Sequence, residues 1–298
     1  MVLTAVGFLV WSAPASAMID AQDLRDAKVR TATFVPPGED DVGGSVTCPS
    51  GTGVLTGGAY WHEPGEAPSI TADFEELNSS GPRGGDHWYA DGRGTTRRRL
   101  TVAVRCVADR KLRDVSTEKL SLDPADGGPV GGTVACPSGT RALSGGAVWH
   151  PRGAPPDPSL SSHGMLASSA VTSDDRGWYA DGTDNYIGDD EIFTISVRCL
   201  KVSKLAETKL RARPISAVEH DEIAGAAVKC RHGSRALTGG GLWHPPGGGP
   251  DKAGNTGIFS GANSFVKHGR AWFTDGLNFV SPDPTRDLTV EALCLKPG

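Results

Sequence analysis

Three Trp-His pairs have the makings of a site: Trp61-His62, Trp149-His150 and Trp243-His244. An indole exposed beside a polar ring is a stacking platform for a sugar, whose C–H face is apolar. The other reading is that each Trp packs in the core or between repeats, over the small residues Ala59, Ala147 and Gly241. If the neighbours Tyr60, Val148 and Leu242 face the core, alternation along a strand turns the Trp outward. Three equivalent His on a threefold axis would make a metal site; a His after Trp also serves as a hydrogen-bonded edge residue. A second block follows each pair: Trp88-Tyr89-Ala90-Asp91-Gly92, Trp178-Tyr179-Ala180-Asp181-Gly182 and Trp272-Phe273-Thr274-Asp275-Gly276. Asp-Gly after an aromatic strand is a turn signal, because Gly supplies positive φ and Asp bonds its own backbone. In the functional reading, Asp91, Asp181 and Asp275 accept hydrogen bonds from a ligand hydroxyl or bind calcium. The stretch Asp174–Glu191 adds Asp174, Asp175, Asp184, Asp189, Asp190 and Glu191, without the spacing of an EF-hand loop.

Signals for catalysis are weak. There is no Gly-x-Ser-x-Gly, no phosphate-binding P-loop and no His-Glu-x-x-His, since His62-Glu63 lacks a second His. Glu75/Glu76 and Asp189/Asp190 are carboxylate pairs of the kind glycosidases use, but adjacent strand residues face opposite ways. Arg97-Arg98-Arg99 is the one basic run, read as a solvated strand end or, alternatively, an anion contact. The balance leans away from an enzyme. No cofactor is expected, calcium at the aspartates excepted, and metal content stays open.

What must position these residues is a threefold repeat. Cys48-Pro49-Ser50-Gly51 precedes Gly57-Gly58-Ala59-Tyr60-Trp61-His62, and Cys136-Pro137-Ser138-Gly139 precedes Gly145-Gly146-Ala147-Val148-Trp149-His150. Cys230-Arg231-His232-Gly233 precedes Gly239-Gly240-Gly241-Leu242-Trp243-His244, at the same Cys-to-Trp spacing. The copies span residues 24–108, 109–201 and 202–298. Each closes on an alternating segment: Leu100, Val102, Val104 and Cys106 in the first, Phe193, Ile195, Val197 and Cys199 in the second, Leu288, Val290, Ala292 and Cys294 in the third. Period-2 alternation predicts half-buried strands. Shorter strands ending at Pro36, Pro124 and Pro214 are expected before the opening strands, a turn or bulge at each Gly pair, and one short helix near Asp20–Lys28.

The chain is all-β by this reading: three homologous antiparallel units of Greek-key or sandwich type, in tandem or around a pseudo-threefold axis. With 40 Gly and 21 Pro among 298 residues, turns and short strands dominate. A net charge of -5 argues against a nucleic-acid binder. Residues 1–17 read as a secretory signal ending Ala15-Ser16-Ala17, although no Lys or Arg precedes the apolar run, and no later stretch suits a membrane span. An exported chain with two Cys per copy suggests Cys48–Cys106, Cys136–Cys199 and Cys230–Cys294 as disulfides, each worth about 4 kcal/mol in the chain-entropy model.

These landmarks over most of residues 24–298 resemble the Cys-paired β-repeats of uncharacterised exported proteins of actinomycete type. The Cys-Pro-x-Gly step is also similar to that of the egg vitelline membrane outer layer protein, a threefold β-prism. Neither resemblance supplies functional residues. The expectation is a secreted, non-catalytic binding protein for extracellular glycan or cell-wall polymer, using Trp61, His62, Asp91 and their counterparts, since repeated weak sites gain by avidity. A structural or protein-interaction role with a secreted partner is the alternative, and an extracellular polymer hydrolase the third.

Overall fold

The computed structural model describes residues 18–38, 40–66, 75–124, 128–155, 164–184, 190–250, 258–279 and 285–297. The expected export signal at 1–17 and Asp189 lie outside the described residues. The short helix α1 is Ala21–Asp26, started by a capping box in which Asp20 accepts from the amides of Gln22 and Asp23. The first copy then forms β1 (Lys28–Phe34), β2 (Asp41–Thr47), β3 (Thr52–His62), β4 (Glu76–Arg83), β5 (His87–Arg93) and β6 (Arg99–Ala108). After α2 (Asp109–Leu112) the second forms β7 (Ser116–Leu122), β8 (Gly128–Ala135), β9 (Thr140–Pro151), β10 (Gly164–Val171), β11 (Gly177–Asp184) and β12 (Glu191–Lys201). The third forms β13 (Thr208–Val218), β14 (Glu222–Lys229), β15 (Arg235–His244), β16 (Ile258–Val266), β17 (Ala271–Asn278) and β18 (Arg286–Leu295).

The copies do not fold as separate units. Each splits its strands between two sheets, and each six-stranded sheet takes half from one copy and half from another. The orders are β1-β6-β3-β16-β17-β14, β13-β18-β15-β10-β11-β8 and β7-β12-β9-β4-β5-β2. Copy one is thus joined to copy three, three to two, and two to one, which closes a ring about a pseudo-threefold axis. Within a copy the two half-sheets face each other around a lobe core. In the first lobe this contains Val46, Val54, Trp61, Trp88, Leu100, Val102 and Val104. Leu55, Leu143 and Leu237, one from each copy, lie in a single cluster with Ile19 and Leu24 at α1.

The Gly pairs are what let the ring close. They sit inside β3, β9 and β15, with a β-bulge just before them and no turn. A Cβ on the first Gly would collide with an indole of its own copy: Gly57 with Trp88, Gly145 with Trp178, Gly239 with Trp272. A Cβ on the second would collide with backbone of the neighbouring copy: Gly58 with Asn263 O, Gly146 with Ser80 O, Gly240 with Ser169 O. Those carbonyls belong to the joining ladders, where Asn263 pairs with Ala59, Ser80 with Ala147 and Ser169 with Gly241.

Three expectations about the strands need correcting. The closing strands β6 and β12 are not half-buried but buried on both faces, because a neighbouring copy covers the second face, as where Ala103 and Arg105 meet copy three. The Asp-Gly steps are not turns: β5, β11 and β17 run straight through them. Pro214 does not end its strand but lies inside β13, opposite Thr289. β13 is a sheet edge, where a missing ladder donor is tolerated.

Replacing Gly146 by Ala should therefore open the joint between copies one and two. The expected loss is at least about 2 kcal/mol by denaturant unfolding, since the clash is with backbone. Gly139→Ala sits in open space at φ 79° and should cost only the smaller penalty of that backbone conformation.

Candidate functional site

The structure spends most of the motif residues on packing. Trp61, Trp149 and Trp243 are at most 1% exposed. Their rings point into the lobe cores, and the indole of Trp61 donates to Glu76 O at 3.0 Å. Backbone amides of two of them are held from the next copy, Trp149 N by Ser79 Oγ at 3.0 Å and Trp243 N by Ser168 Oγ at 3.1 Å. The outward-facing, sugar-stacking arrangement is thus not what the structure holds. The face shared with Ala59, Ala147 and Gly241 is the buried one, and Tyr60, Val148 and Leu242 are only half-buried. The Trp of the second block is buried too, its Nε1 donating to Ser80 (3.1 Å), Ser169 (2.9 Å) or Asn263 (2.6 Å).

The three His are half-buried and identically engaged. Nδ1 lies 2.7, 3.0 and 3.1 Å from the carbonyls of Glu63, Pro151 and Pro245 for His62, His150 and His244. A carbonyl only accepts, so Nδ1 is the donor. Nε2 meets the hydroxyls of Thr101, Thr194 and Thr289 at 2.8, 2.9 and 3.0 Å. With both nitrogens engaged, each His fixes its strand end to the closing strand of its own copy. Among the described residues no three His, Cys, Asp or Glu side chains are grouped as a metal cage requires.

Asp91, Asp181 and Asp275 are buried beside the bulges of β4, β10 and β16. Asp181 accepts from the bulge amide Ser168 N at 2.7 Å. Asp91 and Asp181 each accept from a Tyr hydroxyl two residues back, Tyr89 or Tyr179, at 2.7 Å. Asp91, bonded by Ser79, and Asp181 thus stitch bulges, which explains why their strands continue where local signals predict a turn. Burial pushes the Asp91 carboxyl up to about 7, against hydrogen bonds from Tyr89 and Ser79 that favour its charge. Glu76 rises to about 7 for the same reason, with Arg93 opposing.

The remaining candidates are dispersed. Asp174 accepts from Thr172 and the Arg176 amide, Asp175 pairs with Arg141 at 3.3 Å, and Asp190 pairs with Arg152 at 2.5 Å. Asp184 and Glu191 are buried. The basic run is not a solvated strand end throughout: Arg97 is exposed, but Arg98 is buried and lies 3.4 Å from Glu63 and 3.5 Å from Glu75. The disulfides are Cys48–Cys106, Cys136–Cys199 and Cys230–Cys294.

Among the described residues, the turn after each opening strand is open to a ligand. All copies build it alike. The carbonyl of Pro49, Pro137 or Arg231 accepts from the amide of Thr52, Thr140 or Ser234 at 3.0 Å. Gly51, Gly139 and Gly233 supply φ of 78°, 79° and 82°. Beside the first turn lies an open cleft of about 830 Å³. Thr47, Ser50, Thr52, Thr117, Asp86, Asp109 and Arg113 line it. Its wall includes buried Arg198 from copy two, which donates to Val54 O and whose charge burial disfavours. The third turn borders two clefts lined by Arg25, Arg231, Arg235 and Arg270. Motif searching passes over these positions because they differ between copies; the one visible signal is Arg231-His232 standing where Pro-Ser stands in the others.

Two measurements follow from this packing. Trp61→Ala should destabilise by about 3–5 kcal/mol, a buried large-to-small loss, rather than spare the fold. In the pH dependence, Asp91 holds a proton in the folded state up to about pH 7 but releases it near pH 4 when unfolded. The folded chain then binds more protons, so its stability falls as pH rises between those limits, with a slope of up to about 1.4 kcal/mol for each step of one in pH. Asp91→Asn should remove that component from the stability–pH curve, leaving a flatter slope than wild type. Compared with known proteins, the chain matches no family model and no curated protein.

Proposed function

We propose that this is an exported, non-catalytic binding protein for a glycan or cell-wall polymer, and that it engages the polymer at its opening-turn clefts, not through the Trp and Asp motifs. The supporting observation is the first cleft. Its hydroxyls (Thr47, Ser50, Thr117), carboxylates (Asp86, Asp109) and guanidinium (Arg113) are spread along an open wall. Such a wall offers both donors and acceptors, which is what sugar hydroxyls require. Its open shape leaves it accessible to a polymer. The disulfide-tied ring supplies rigidity, so little side-chain and loop ordering opposes binding. No helix among the described residues is long and apolar enough to cross a membrane.

The test is retention of the purified, oxidised protein on insoluble polysaccharides and bacterial cell wall, with and without calcium. Asp86 and Arg113 are at the rim, so Asp86→Asn and Arg113→Gln should leave the melting temperature unchanged. Each should weaken retention roughly tenfold, the cost of one hydrogen bond to a charged group. Retention unchanged in both folded variants would remove the cleft from the site, and no retention on any matrix would overturn the reading.

A further inference from the structure

The three opening turns are internal controls for one another, and they differ in charge. At the three corresponding places around the turn, copy one has Pro49, Gly53 and Asp86; copy two has Pro137, Arg141 and Arg176; copy three has Arg231, Arg235 and Arg270. Copy two holds Arg141 with Asp175, 3.3 Å away. The residue in the place of Asp175 in copy three is Gly269, so Arg235 has lost that counter-ion. The buried Nε is without a hydrogen-bond partner in both Arg141 and Arg235, but Nη1 of Arg141 is held by Thr208 and Asp175. Among the described residues, no carboxylate is within ion-pairing distance of Arg231, Arg235 or Arg270, or of Arg25, which α1 brings to the same clefts. Neighbouring Arg270 and Arg25 add to burial in disfavouring the charge of Arg235.

A second observation comes from beneath the turn. Arg105 of copy one corresponds to Arg198, which lines the first cleft, and is itself 1% exposed. Its Nη1 donates to Ala236 O at 2.7 Å, directly beside Arg235, and its guanidinium lies 4.0 Å from the Phe265 ring. Its Nη2 lies against Gly269, between His268 and Arg270 in sequence, and has no hydrogen-bond partner. Burial and the neighbouring Arg235 both disfavour the charge of Arg105, so positive charge is concentrated at this turn in a chain of net charge -5, a field that attracts an anion.

We propose that the opening turn of the third copy binds a multiply charged oxyanion, a phosphate or sulfate group carried by the ligand, held by Arg231, Arg235 and Arg270 with Arg25 at the rim. Guanidinium forks match the oxygens of such a group, two N–H donors to two acceptors. The two adjoining clefts, about 620 and 430 Å³, leave room for the rest of the molecule. The proposal deepens the reading of the opening turns as ligand sites and rests on it, but it names a different copy and a charged ligand.

Inorganic phosphate, inorganic sulfate, a polyphosphate and a sulfated glycan are titrated separately into the oxidised full chain, with binding followed by calorimetry and by amide NMR. At least one oxyanion should bind and shift amides around 229–235 and 268–270. The affinity should fall as salt rises, because the rim is exposed. Comparing the phosphate and sulfate arms identifies the group. Arg231→Gln with Arg270→Gln, both at exposed positions, should weaken binding about a hundredfold, roughly tenfold for each lost charge-assisted contact. Arg141→Gln with Arg176→Gln in copy two is the control and should leave it unchanged. Binding that survives the copy-three variant, or falls equally in the copy-two control, would overturn the site, as would no binding of any oxyanion. Retention on neutral polysaccharide should be the same in the copy-three variant as in wild type. Loss of that retention by wild type with oxyanion binding intact would sink the neutral-glycan reading while leaving this one standing.

Discussion

Everything in this molecule depends on three places where a backbone carbonyl of one copy rests against the Cα of a glycine in the next. Gly58, Gly146 and Gly240 have no room for a Cβ, because Asn263, Ser80 and Ser169 occupy the space. Glycine in a strand is usually a loss of about 0.5–1 kcal/mol relative to Ala. Here it is offset by joining two half-sheets into one, which satisfies backbone groups along an edge that would otherwise be open. Because the chain forms a ring, no joint can be given up alone. Each lobe has its two faces in different sheets, so opening one joint exposes the cores of two lobes.

The disulfides strengthen the same closure from the other side. Cys48 follows β2 and Cys106 lies in β6, and these strands belong to different sheets. The same holds for Cys136 with Cys199 and for Cys230 with Cys294. The bridges therefore link the three sheets pairwise, one across each lobe, while the glycine joints hold each sheet together. The loops they close have separations of 58, 63 and 64 residues. Buried Trp pairs fill the lobes between them, such as Trp61 with Trp88 in the first. The first Gly of each pair makes the recess for the second of those indoles.

The repeat, the existence of the closing strands, the all-β class and the short first helix are legible in the sequence because each is a local or periodic signal. The Trp orientation is not. Parity arguments need one wet face, and β3, β9 and β15 have their Gly segments buried on both faces by the lobe and by the next copy. Tyr60, Val148 and Leu242 then point away from the core, and the apparent outward residue is the buried one. Asp-Gly misleads for a related reason. Its turn propensity is set by its own neighbours, whereas Asp181 is held by Ser168 N across the sheet, a partner that only the bulge of β10 presents. Arg98 looks solvated because Glu75 and Glu63 lie far from it in sequence. What escapes the sequence in each case is a non-local partner.

Threefold repetition also separates scaffold from what the scaffold carries. Where all copies agree, the structure has a packing or bonding reason in each: indole recess, joint glycine, bulge aspartate, His between carbonyl and hydroxyl. Where they differ, the constraint is weaker, and two kinds of difference can be told apart. Arg105 and Arg198 each reach into the neighbouring copy to a carbonyl, Ala236 O and Val54 O, while the corresponding residue of copy three is Leu293, buried in the central cluster. That change replaces a buried hydrogen bond by apolar packing at the third boundary, a substitution between scaffold solutions of similar worth. The change at the opening turns is of the other kind. The turn geometry is kept in every copy by the glycine and its hydrogen bond, so the side chains around it are free to differ without cost to the fold. Hydroxyls and carboxylates gather at one turn and guanidiniums at another, on a backbone that asks for neither.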